Sequence, residues 1–150
     1  MKDSDFIKIA IQNAQKSIKR GGFPAGAVIA KNGKVISDGL SLGSTKNDPT
    51  SHGEIDAIRK ACKKIGSSNL SGAILYTSME SCLMCFSAAS WANISEVVFA
   101  SRKEKFPKDF YEGKNRLKDI NSKNNVRIKL RFFPGFEDEV LGIVNEFLKK

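Results

Sequence analysis

Ala73-Ile74-Leu75-Tyr76-Thr77-Ser78, then Cys82-Leu83-Met84-Cys85-Phe86-Ser87-Ala88-Ala89-Ser90-Trp91, then Glu96-Val97-Val98-Phe99-Ala100 follow one another with short connections. The outer two are apolar runs of strand length, and the middle one is an Ala-rich stretch of helix length. Strands that read as continuous apolar runs are buried on both faces, and a strand, helix and strand in that order form a right-handed crossover unit. This stretch therefore predicts an α/β layered fold with helices on both sides of a sheet.

Working outward, Ile7, Ile11, Ala14 and Ile18 recur at helical spacing between Asp5 and Arg20, and Gly21-Gly22 stops that helix. Gly26 to Ala30 and Lys34 to Ser37 read as strands joined at Asn32-Gly33, a pair that accepts the positive φ of a tight hairpin turn. A loop is expected from Asp38 to Pro49. Ile55, Ile58, Cys62 and Ile65 mark the buried face of a second helix ended by Gly66, with His52 and Glu54 in its first turn. Residues 102–125 are polar, with a helix or ordered loop expected around Tyr111 to Ile120. Val126, Ile128, Leu130 and Phe132 alternate with Arg127, Lys129 and Arg131 as a strand with one face buried, and Val140, Val144 and Phe147 or Leu148 give a final amphipathic helix.

The chain has 150 residues, 41% hydrophobic and 27% charged, with no repeat or low-complexity stretch, so a single domain over residues 1–150 is expected. No apolar run approaches a membrane span, and the acidic start Met1-Lys2-Asp3-Ser4-Asp5 has no apolar core of a signal peptide. A cytoplasmic location and no membrane partner are the expectation. Three cysteines leave no even disulfide framework, and Cys62 is expected to be a small buried apolar residue. The net charge of +9 suits nucleic acid, but the basic residues are dispersed along the chain. Dispersion favours solvated surface over an RNA track.

His52 is the only histidine, and it stands two residues before Glu54 and about thirty before Cys82-Leu83-Met84-Cys85. Imidazole nitrogen and two thiolates are zinc ligands, and a site with three protein ligands leaves the fourth position to water, the arrangement of a catalytic centre. His52, Cys82 and Cys85 are the expected metal ligands. Glu54 is not needed as a ligand and is placed to move a proton from the activated water. A closed structural zinc site normally takes a fourth protein ligand, for which the motif offers no candidate.

On these residues the chain resembles the cytidine deaminase superfamily, and within it the branch of guanine, cytosine and tRNA adenosine deaminases. Asn47-Asp48-Pro49-Thr50-Ser51-His52-Gly53-Glu54 is similar to the Asp-Pro-Thr-Ala-His-Ala-Glu of that branch, Ile74 to Thr77 leads into the cysteine motif as its strand does, and Pro24-Ala25-Gly26-Ala27-Val28 matches its Pro-x-Gly-Ala-Val. The resemblance implies a three-layer α/β/α sandwich with a five-stranded mixed sheet. It also implies one zinc per chain, Glu54 as proton carrier, hydrolytic release of ammonia from a nucleobase or nucleoside, and a homodimer whose partner helps enclose the pocket. Ser41, Gly53, Ala27 and Phe23 are the substrate-binding residues it points to. Three positions depart from the branch: Ser81 replaces the Pro before the first cysteine and is expected to cap the following helix, Ser41 replaces an Asn that binds the base, and Ala25 stands where guanine deaminases place a Phe.

Guanine is the favoured ring and cytosine the next. Ile58-Arg59-Lys60-Ala61-Cys62-Lys63 and the segment Phe106 to Glu112, with Asp109, Tyr111 and Glu112, look most like guanine deaminases. The alternatives are a tRNA-specific adenosine deaminase, suggested by the charge and Val97-Val98-Phe99-Ala100, and a non-catalytic zinc-stabilised domain, suggested by Ser41 and Ser81. Arg102 to Asp109 stands where tRNA adenosine deaminases carry a Gly-Ala-Ala-Gly-Ser type segment, and an intact Glu54 argues against loss of catalysis. Phe86 and Trp91 are assigned to the core, and Phe132, Phe133, Phe136 and Phe147 to packing of the last strand and helix, the alternative being that one of the four reaches a neighbouring pocket.

Overall fold

The computed structural model describes residues 1–107, 112–113 and 115–150. Five strands form one sheet in the order β2-β1-β3-β4-β5. They are β1 (Gly26–Lys31), β2 (Lys34–Leu40), β3 (Ile74–Thr77), β4 (Glu96–Phe99) and β5 (Lys129–Phe132). β1 runs antiparallel to β2 and β3, while β3, β4 and β5 are mutually parallel, so the sheet is mixed. Among the described residues six α-helices accompany it: α1 (Asp3–Lys19), α2 (Gly43–Lys46), α3 (Gly53–Ile65), α4 (Leu83–Trp91), α5 (Leu117–Ser122) and α6 (Glu137–Leu148).

The side-chain alternation of the strands sorts the core into two layers. Ala27, Ile29, Leu75, Val97 and Phe99 pack with Ala57 and Ala61 of α3, Phe86 and Ala89 of α4 and Leu117 of α5. Val28, Ala30, Tyr76 and Val98 point the other way, onto Phe6, Ile7 and Ile11 of α1 and Val140 and Val144 of α6. The result is the α/β/α sandwich with a five-stranded mixed sheet. The hairpin turn is as expected, with Asn32 at φ 52° and Gly33 at φ 74°.

Several expectations are corrected. β2 continues to Leu40, because Gly26 to Ala30 keep offering it a pairing edge, and the helical turn α2 occupies part of the expected loop. His52 immediately precedes α3 and is not within its first turn, whereas Glu54 is. The buried face of α3 is Gly53, Glu54, Ala57 and Ala61, with Ile58 and Cys62 at its margin and Ile65 exposed. Small residues face the sheet because the helix lies almost in contact with β2: a Cβ built on Gly39 would sit 1.8 Å from the Gly53 carbonyl oxygen. Gly39→Ala is therefore expected to push α3 off the sheet. Overpacking costs about 1–3 kcal/mol, or more where backbone must move, so calorimetry should find the melting temperature lowered by roughly 5 °C or more in a domain of this size.

Trp91 is not core: it is 87% exposed. Five residues on from the buried Phe86, it lies about 140° round α4, on the face turned from the sheet. Val126 is likewise 76% exposed, since β5 begins only at Lys129. Before that point the Asn121 side chain, at 2.9 Å from the Ile128 N–H and 2.7 Å from its carbonyl, does the work of a neighbouring strand. Of the polar stretch after β4, a short 3-10 turn at Lys103–Lys105 and α5 are ordered elements. Asp109 and Tyr111 lie outside the described residues.

Candidate active site

The hairpin and the crossover bring two helix starts together at one edge of the sheet. His52 precedes the first residue of α3, and Cys82 precedes the first residue of α4. Both stay in extended backbone, with ψ of 160° and 170°, so their side chains project from the helix ends toward each other. His52 Nδ1 lies 3.5 Å from Cys82 Sγ and 3.4 Å from Cys85 Sγ. All three donor atoms fall within 4.8 Å of one another. Tetrahedral zinc with bonds of about 2.05 Å to nitrogen and 2.3 Å to sulfur separates those ligands by about 3.5 Å, so the donor set fits the ion in kind and in spacing.

The Cys85 thiol hydrogen-bonds Cys82, and with the His52 ring and the Cys85 backbone N–H it holds the Cys82 thiol down at about 4. Cys85 is correspondingly pushed up by the same hydrogen bond and by burial. The Cys82 contact raises His52. A divalent cation would take the place of the protons on these groups, with the two thiolates and the neutral imidazole as the ligands that would hold it. Glu54 is 7% exposed on the first turn of α3, and burial, followed by the nearby Cys82 charge, raises its carboxyl above the usual range.

These groups open onto a cavity of about 610 Å³. His52, Glu54 and Cys82 line it, as do Ser41 and Phe23 among the expected substrate residues. Ala27 and Gly53 do not. Ala27 is fully buried and points into the core beneath α3, and Gly53 is a packing residue whose hypothetical Cβ would come 3.2 Å from Gly26 Cα. Ser81 is buried but caps nothing, because Cys82 occupies the cap position and the first free N–H of α4, that of Leu83, is bonded by Glu112. Ser78 and Ser44 also line the cavity, yet their hydroxyls are engaged by the Gly26 N–H and the Gly21 carbonyl. Ser41 is held in place by its backbone N–H, which donates to Ser17 Oγ at 2.9 Å.

Sequence reasoning missed several lining residues. Ser78, Met79 and Glu80 adjoin the cysteine motif and were within reach of it. Phe147 carries no local signal: it comes from the last turns of α6 and meets Phe23 edge to face, ring centres 5.6 Å apart. Among the described residues no lysine or arginine lines the cavity.

A covered mixed sheet that brings one imidazole, one thiol and a buried carboxylate to a single cavity, with a second thiol buried beside them, defines a zinc-dependent hydrolase site of the deaminase type. Residues 1–101 match the family described as the cytidine and deoxycytidylate deaminase zinc-binding region, and the chain belongs to that family of zinc-dependent deaminases. It is 45% identical to the guanine deaminase of Bacillus subtilis (strain 168) over 102 residues, 67% of this chain and 65% of that protein. It is 31% identical to the tRNA-specific adenosine deaminase of Aquifex aeolicus (strain VF5) over 147 residues, 97% of this chain and 93% of that one. A solved structure of guanine deaminase from Bacillus subtilis superposes with a TM-score of 0.71 at 32% identity, covering 100% of this chain and 96% of that chain.

Proposed function

We propose that this protein, as one unit over residues 1–150, hydrolytically deaminates a free nucleobase or nucleoside, with a guanine-type ring ahead of a cytosine-type one. The observation that carries this reading is the cavity itself, which is lined by Glu54, His52 and Cys82 together with the aromatic pair Phe23 and Phe147 and offers no lysine or arginine among its described lining. A flat, neutral ring matches such a space, whereas a phosphate would find no counter-charge. The 45% identity to a guanine deaminase supports the choice of ring.

His52, Cys82 and Cys85 would hold the zinc, which supplies a water acidified toward neutrality. Glu54 takes a proton from that water and delivers it to a ring nitrogen as oxygen bonds to the carbon bearing the amine. It then passes the second proton to the departing nitrogen, so the amine leaves as ammonia and the carbon keeps a carbonyl. The Ser41 hydroxyl meets the ring edge as donor or acceptor, and the contacting pair Phe23 and Phe147 offers the ring one apolar wall. This chemistry belongs to nucleobase metabolism, purine salvage if guanine is the substrate, and the free thiols of Cys62, Cys82 and Cys85 suit the reducing cytoplasm.

A second reading, adenosine deamination in tRNA, is favoured by the net charge of +9 and by the 97% coverage of this chain in the Aquifex match. Ammonia release from guanine, cytosine, isocytosine, adenine, their nucleosides and a tRNA anticodon stem decides between the two. The first reading requires turnover of a free base or nucleoside; release from the stem alone makes the second correct.

A homodimer is part of the proposal. Met84, Ser87, Ala88 and Trp91 recur at helical spacing on the outer face of α4, and Met84 and Trp91 are exposed. An exposed tryptophan on such a face suits a second copy. Trp91→Glu should shift the protein to monomer in sedimentation at micromolar concentration, and an unchanged dimer would place the interface elsewhere.

A further inference from the structure

The segment that carries the two cysteines is gripped by the loop that follows β4. Ahead of Cys82, the Glu80 backbone N–H donates to the Ser101 carbonyl at 2.9 Å, and a Glu80 carboxylate oxygen accepts from the Lys103 backbone N–H at 3.1 Å. Behind Cys82, the Leu83 backbone N–H donates to Oε1 of Glu112 at 2.5 Å. The other Glu112 oxygen is buried without a hydrogen-bond partner, and the Lys103 ammonium stands 3.6 Å from it. That lysine side chain is only 6% exposed and also donates from Nζ to the Asn115 carbonyl at 3.2 Å. Glu112 is not among the residues that line the cavity.

A helix start leaves its first N–H groups unpaired, and α4 has no side-chain cap of its own. A carboxylate there satisfies a donor and favours the positive end of the helix dipole. We infer that Glu112 is a positioning residue for the metal centre: it locks the first turn of α4, and through that turn fixes Cys82 and Cys85 at the separation the ion requires. The buried Lys103 keeps the Glu112 carboxylate at that post. The inference rests on His52, Cys82 and Cys85 holding zinc and is independent of which base is deaminated.

The test is the zinc dissociation constant, measured by chelator competition on metal-depleted protein. Glu112→Ala removes the acceptor of the Leu83 N–H and is expected to weaken zinc binding by about 10- to 100-fold, the usual effect of removing an outer-shell partner. Glu112→Gln keeps an oxygen that can accept the same N–H and should stay within a few-fold of the parent. If Glu112→Ala does not fold, Glu112→Ser, too short to reach Leu83, takes its place in the comparison. Unchanged affinity in the Ala variant overturns the inference, including the case where affinity is intact and turnover is lost, which would make Glu112 a substrate contact. Equal weakening in the Ala and Gln variants also contradicts it, because the hydrogen bond would then not be the agent. Failure of the parent protein itself to bind zinc would be a failure of the metal assignment.

Discussion

Glu54→Gln is expected to keep the fold and the zinc while lowering kcat by about 10²- to 10⁴-fold, toward the upper end. Glutamine has nearly the shape of glutamate and can hydrogen-bond a water, but it cannot take a proton from it. In the proposed mechanism one carboxylate serves the water, the ring nitrogen and the leaving amine, so its loss would fall on every proton transfer of the reaction. Burial on the first turn of α3 raises Glu54 above the ordinary carboxylate range, which suits a group that must both accept and return a proton near neutral pH. KM should change much less than kcat. A variant with near-normal kcat would remove Glu54 from the mechanism, and one that had lost its zinc would make Glu54 a ligand.

Replacing Cys82 and Cys85 together by Ala should abolish both zinc retention and ammonia release. The three donor atoms lie within 4.8 Å of one another, and among the described residues no other group of three His, Cys, Asp or Glu side chains is placed to hold a metal ion. His52 alone cannot hold zinc at cellular concentrations against the loss of two thiolates. Elemental analysis of the purified double variant checks this, and stoichiometric zinc in it would overturn the ligand assignment.

What the sequence made legible is what depends on neighbours in the chain. The run from Ala73 to Ala100 declared its strand, helix and strand by composition alone, and Asn32-Gly33 declared its turn by backbone preference. The donor cluster was legible because His52, Cys82 and Cys85 are metal-ligating residue types at fixed offsets. The errors came where a distant partner decides. Small residues face the sheet in α3 because Gly39 lets the helix approach, a fact that lies outside the helix. Trp91 was assigned to the core by its residue type, while its angle round α4 sends it outward. Val126 continued an alternation that the Asn121 side chain interrupts. Ala27 and Gly53 stand beside the motifs in sequence but turn into the core, whereas Phe147, from the far end of the chain, reaches the cavity through the packing of α6. Glu112 stands in a stretch whose sequence resembles guanine deaminases, but its bond to the cysteine helix is a long-range contact that nothing local announced.

The central claim, that one zinc held by His52, Cys82 and Cys85 carries the hydrolysis, is tested most directly by measuring ammonia release from the accepted base while zinc is returned stepwise to metal-depleted protein. The rate should rise in proportion to bound zinc and level off at one ion per chain. Full turnover in the metal-free protein, or a rate that keeps climbing past one ion per chain, would contradict the account.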